Sequence, residues 1–163
     1  NYEGTKIGPA NVLKDVYEDS SKVKFMSAVA HKDKIAQVKV IATEDIFSRI
    51  LNEMEDRHIN MDMINFFTEK KAFALDVSNL EEVENILKQY DVEYEIKPDC
   101  AKLTLIGNKV TETPGVIAKI MRALNAENIT LLQSSDSYNS LSCLVDEKDM
   151  VTTVHVIHNA FSV

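Results

Sequence analysis

Phe47, Ile50, Leu51 and Met54 are spaced i, i+3, i+4, i+7, which predicts an amphipathic helix with one buried face. Ile117, Ile120, Met121 and Leu124 carry the same spacing, each 70 residues further along the chain. The tripeptide HIN at 58–60 matches NIT at 128–130 at that same distance, while AQVKVIA at 36–42 matches AKLTLIG at 101–107 at a distance of 65. The chain is therefore an internal repeat, and its second copy holds five more residues between its first strand and its first helix. Those residues belong to the stretch NKVTETPGV.

Each copy continues in the same way. A short strand follows the helix, MDMINFF or LLQSS, and then a second strand, FALDV or SCLVD. A second helix comes next. Leu80, Val83, Leu87 and Tyr90 line one side of it in the first copy, and Met150, Val154, Ile157 and Phe161 in the second. The first copy closes with an alternating strand at Val92, Tyr94 and Ile96. This order, βαββαβ, predicts an α+β fold of ferredoxin-like units, each with two helices on one face of a four-stranded antiparallel sheet. The second copy has only Ser162 and Val163 after its last helix, whereas a strand-like segment at 23–32 precedes the first copy. We expect that segment to supply the missing edge strand. The first unit, 33–98, would then be inserted in the second, 23–32 plus 99–163, with 1–22 as a linker from a domain that this chain does not contain.

Composition narrows the function by exclusion. The 163 residues carry a net charge of -8, and the 18 Lys and Arg residues form no dense block, so neither nucleic acid nor a membrane surface is an expected partner. No apolar run reaches about 18 residues. Four glycines cannot build a phosphate-cradling loop. His155 and His158 sit i, i+3 without further ligand spacing, so no metal site is expected. Cys100 and Cys143 stand apart, as two thiols of a reducing, cytoplasmic compartment would. No nucleophile with a partnered base is recognisable, and no catalytic residue or cofactor is expected in this chain.

The candidate chemistry lies in TETPGV and the strand that follows. Thr113 can cap the helix, with Pro114 as its first residue and Gly115 as its second. The backbone N–H groups of Gly115, Val116 and Ile117 would then face outward and attract a carboxylate. The neighbouring strand places Thr130, Gln133, Ser134, Ser135 and Asp136 nearby, polar residues that can hold an ammonium group. Together they would clamp a zwitterion. The bland alternative is helix-start punctuation beside a polar strand end.

These residues resemble ACT domains and, more narrowly, the tandem ACT regulatory region of aspartate kinase. The pieces that carry the likeness are AVAHKDKIAQVKV, HINMDMIN, TPGVIAKIMRALNAENITLLQSSDS, LVDEKDM and VIHNAF, which cover about residues 27–161 in the family's order. The LQSSDS form is most similar to the Gram-positive type, inhibited by lysine or its precursor diaminopimelate. The resemblance implies a homodimer formed through ACT units and a kinase domain of the same chain, where ATP and Mg would act in phosphorylating L-aspartate. It also implies a free amino acid as effector, whether lysine, diaminopimelate or threonine. Effector contacts carried over from the family fall on Thr113, Gly115, Val116, Ile117, Thr130, Gln133, Ser134, Ser135 and Asp136. In the first unit only Asn60 and Asp62 match, and that unit lacks the Pro-Gly pair. A dimerisation module without ligand, the sensor of another biosynthetic enzyme and a small ferredoxin-like enzyme are the alternatives.

Overall fold

A computed structural model describes residues 26–162. The expected linker at 1–22, and the first three residues of the strand expected at 23–32, lie outside this range. Six antiparallel strands and four α-helices occur among the described residues. In chain order they are β1 Met26–Ile41, α1 Glu44–Asp56, β2 Asp62–Phe66, β3 Lys70–Asp76, α2 Leu80–Gln89 and β4 Glu93–Gly107. Then come α3 Val116–Ala126, β5 Gln133–Ser137, β6 Ser140–Asp146 and α4 Met150–Phe161. The sheet order is β2-β3-β1-β4-β6-β5. No helix of the described residues is long and apolar enough to cross a membrane.

Two pairs of strands that the sequence pattern separates are continuous in the structure. The segments at 26–32 and 35–41 form one strand, β1, and those at 93–97 and 100–107 form another, β4. No turn intervenes. Instead the β1–β4 register shifts between Lys32 and Gln37, Lys34 takes φ 56°, and Pro98, which has no N–H for the ladder, falls in the gap between the Lys97 and Cys100 pairs. Bulges thus bend the strands without ending them. Residues 26–32 pair with 102–107, and 35–41 pair with both 93–100 and β3.

Two cores form, one on each set of helices. Phe47, Ile50 and Met54 of α1 and Val83, Ile86 and Leu87 of α2 bury against Val38, Val40, Phe73 and Leu75. Val116, Ile120 and Leu124 of α3 and Ile157 of α4 bury against Leu103, Leu105, Leu141, Cys143 and Val145. Truncating any of these large side chains to alanine removes about 2–5 kcal/mol. The repeated tripeptides have a local cause. His58 and Asn128 both sit just past a helix with φ near 55°, and each hands over to an isoleucine whose N–H reaches back into the last turn: Ile59 N to Met54 O, and Ile129 N to Leu124 O, both 2.9 Å. This is a Schellman stop that buries Ile59 and Ile129.

Strands β3 and β6 are buried on both faces, which the pattern of a sheet with one covered face does not predict. Ile35, Met63 and Ala74 meet Cys100, Leu144 and Leu132 in a third cluster on the face away from the helices. The outermost strands also touch, since the Gln133 side chain of β5 bonds to Asn65 of β2. Strands at opposite ends of a sheet meet only if the sheet curls back on itself. The two halves therefore pack through their helix-free faces.

Candidate functional site

The lengthened loop of the second copy contains a three-residue 3₁₀ turn, Val110–Glu112, entered through Lys109 at φ 54°. Val110 N bonds to Tyr138 O at 3.0 Å, which anchors the loop to the β5–β6 hairpin. Thr113 does not cap the helix. Its hydroxyl turns back to Lys109 O at 3.1 Å, because the preceding 3₁₀ turn brings that carbonyl within reach. Gly115 occupies the cap position at φ 86° and ψ -1°, and α3 starts two residues later than the sequence suggests. An added Cβ at Gly115 would meet nothing within 4 Å, so the backbone angle favours glycine here, not space.

A cavity of about 560 Å³ opens beside this cap. Val110, Thr113, Gly115, Val116, Ile117, Ala118, Ser134, Asp136 and Leu141 line it. The structure thus brings together six residues singled out from the sequence: Thr113, Gly115, Val116, Ile117, Ser134 and Asp136. Ser134 and Asp136 are two apart on β5, so both point to one face.

Three others do not line the cavity. Thr130 is exposed before β5, and Ser135 falls on the opposite face of the strand. Gln133 is buried between the two halves, where it accepts from Gln37 Nε2 at 2.9 Å and donates to Asn65 Oδ1 at 2.5 Å and to Met63 O. Asn60 and Asp62 line a separate cavity of about 480 Å³ with Lys32, Asp76, Ser78 and Asn79. There Asp62 pairs with Lys102 and accepts from Met63 N. Val110, Ala118 and Leu141 are lining residues that the sequence reading omits. Ala118 enters because the helix start moves by two residues. Leu141 follows from the alternation of SLSCLVD, which aims it with Cys143 and Val145 at the helices.

The electrostatics of the two helix starts differ. In α1, Thr43 Oγ1 accepts from Ile46 N at 3.5 Å, and Glu44 and Asp45 stand in the first turn. In α3 the cap makes no side-chain hydrogen bond and the first turn holds no acid. The N–H groups of Val116, Ile117 and Ala118 have no acceptor within their helix, so positive potential is concentrated at the cavity wall. Asp136 adds a carboxylate to the other side. Such a wall pair suits a ligand with a carboxylate at one end and an ammonium at the other. Elsewhere, Lys97 donates to Asp146 at 2.8 Å and holds that carboxyl below its usual range. Burial pushes the Cys143 thiol up to about 12, and raises Cys100 too.

Residues 95–159 match the ACT domain family. Aspartokinase 1 of Bacillus subtilis is 27% identical over 164 residues, 99% of this chain and 38% of that protein. The aspartokinase of Geobacillus stearothermophilus is 29% identical over 148 residues, 84% of this chain and 36% of its own length. The chain thus spans little more than a third of these relatives. Among solved structures, aspartokinase alpha and beta subunits superpose with a TM-score of 0.77 at 26% identity, covering 85% of this chain and 99% of theirs. The ligand-free regulatory subunit of aspartate kinase from Thermus thermophilus has the same fold, with a TM-score of 0.77 at 22% identity over 83% of this chain and 99% of that one. With its repeat, its six-stranded sheet and these likenesses, the chain carries a match to the ACT domain over residues 95–159 and is similar as a whole to the regulatory regions of aspartate kinases.

Proposed function

We propose that this chain is the allosteric region of an aspartate kinase and that the cavity at the start of α3 binds a free amino acid, an end product of the lysine or diaminopimelate kind. The observation that carries this reading is the uncapped, acid-free N-terminus of α3 facing Asp136 across the cavity. The effector's α-carboxylate would lie on the N–H groups of Val116, Ile117 and Ala118, and an ammonium group would be drawn to Asp136, with Ser134 and Thr113 as hydrogen-bond partners. Pairing into a homodimer is part of the proposal. It is supported by the exposed Ile64, Phe66 and Phe67 on and beside the outer strand β2. The regulated step, ATP-dependent phosphorylation of L-aspartate, would belong to a kinase domain linked to this region. Effector binding changes its activity only through unequal affinity for two arrangements.

Isothermal titration with lysine, diaminopimelate and threonine tests the reading. Heat is expected with at least one of them, and none with any of the three would overturn it. Gly115→Asp sharpens the test. At φ 86° it costs about 1 kcal/mol of backbone strain without a clash, and it places a carboxylate at the cap, where it competes for the same N–H groups. Folding with lost binding is expected. Unchanged affinity would remove the cap from the site.

A further inference from the structure

The two halves share one register but fill the same position differently. Lys71 pairs with Val40 in β3 as Leu141 pairs with Leu105 in β6, and each stands at the same place in its repeat. The neighbouring backbone agrees: Ala42 N bonds to Glu69 O at 3.0 Å, and its counterpart Gly107 N bonds to Asn139 O at 2.9 Å. In the second half, Leu141 lines the cavity, and Tyr138 O is taken by Val110 N from the longer loop. The first half has no such loop. There Thr68 O, the counterpart of Tyr138 O, accepts instead from Lys71 Nζ at 3.0 Å.

The surroundings of that ammonium are complete. It donates to Ala42 O at 2.9 Å and to Thr68 O, and it pairs with Glu44 Oε1 at 2.9 Å. Three protons meet three acceptors. The Lys71 side chain is 0% exposed, while the Glu44 side chain is 74% exposed, so the carboxylate closes the site from the solvent side. The Phe47 ring lies 6.0 Å from Nζ, and Phe66 packs edge-on against Phe47 with centroids 5.8 Å apart. By position in the repeat, Phe47 and Phe66 stand where Ile117 and Asp136 line the open cavity. A buried lysine with every proton placed, among carbonyls, a carboxylate and an aromatic face, is arranged as a bound ligand is.

We propose that the first unit carries a binding site for a primary alkylammonium group and that Lys71 of the chain itself occupies it. The unit is held in a filled form whatever amino acid is present outside, so the external ligand enters the second half alone. That last consequence rests on the proposed effector reading; the ammonium site does not.

Lys71→Ala tests the site. It removes the atoms of n-propylammonium, and that ion, as its chloride, is the probe. Thermal unfolding of the variant is expected to be lower than that of the native chain. It should rise again by about 3–6 °C once n-propylammonium is in tenfold excess over its Kd, with no comparable rise in the native chain. Should the variant fold only with the amine present, recovery of the folded signal on adding it is the same result. Lys71→Met keeps the volume and discards the ammonium, so it should show a lower urea midpoint and no response to the amine. An Ala variant that responds equally to n-propanol, or a Met variant as stable as the native chain, would overturn the proposal. Neither readout involves an amino acid, so it stands or falls separately from effector binding.

Discussion

Replacing Gln133 by methionine should destabilise the fold, because the structure makes this residue a polar tie between the two halves. Gln133 and Gln37 are 8% and 3% exposed. The tie exists because β2 bulges: its register jumps between Asp62 and Asn65, and Met63 turns to φ 52°, which releases Met63 O from the ladder. Gln133 Nε2 donates to that carbonyl and to Asn65 Oδ1, and Gln133 Oε1 accepts from Gln37 Nε2. Methionine fills nearly the same volume but can serve none of these groups. It leaves the Gln37 amide and Met63 O buried without partners, at about 1–3 kcal/mol each. The expected loss is about 3 kcal/mol, or about 6–12 °C in thermal midpoint for a chain of this size. Urea unfolding of Gln133→Met, Gln37→Met and the double variant measures it. The double variant should be more stable than the sum of the single losses predicts, by about 1 kcal/mol, since it removes both ends of one bond. A single-variant loss below about 0.5 kcal/mol, or strict additivity, would refute the reasoning and return Gln133 to the ligand contacts that the sequence suggests.

Two further outcomes follow from the titratable groups. With burial pushing Cys143 up to about 12 and Cys100 also up, neither thiol should react with a disulfide reagent at about pH 8 until denaturant is added, and rapid native labelling would contradict their placement. Asp146 is held below its ordinary 3.8 chiefly by the hydrogen bond from Lys97, and Asp76 likewise by hydrogen bonds from Ser78. A depressed folded value gives stability that is present above about pH 4 and is lost as pH falls through the lower folded value. Asp146→Asn should therefore flatten the fall of the urea midpoint below about pH 4, and an unchanged slope there would remove Asp146 from the acid response.

How much of this was legible in the sequence depends on how far each feature reaches along the chain. Helix faces were legible because burial at i, i+3, i+4 and i+7 is a local rule, and Phe47, Ile50 and Met54 obey it, as do Ile120 and Leu124; Ile117, the counterpart of Phe47, departs from it, 51% exposed at the cavity while Val116 is buried in its stead. The lengthened loop before α3 was legible because a repeat supplies its own comparison. The helix cap lies two residues beyond the one the sequence favours. Residue type alone favours Thr113, but a 3₁₀ turn ahead of it takes the threonine hydroxyl, and the helix begins only after Gly115, whose left-handed φ of 86° suits glycine. The role of Gln133 was hidden, since its partners lie up to 96 residues away and meet it only because the sheet curls. Lys71 lay between these cases. In KKAFALD it reads as a solvated strand start, yet its repeat partner is a buried leucine, and a charge opposite an apolar residue at a core position is a signal a sequence can give. Loop length connects that signal to the cavity. Where the loop is long, a backbone N–H satisfies the hairpin carbonyl and the position stays open. Where it is short, the chain must satisfy that carbonyl from within, and a lysine reaching under the helix does so while filling the space. One insertion thus explains both the open cavity and the closed one.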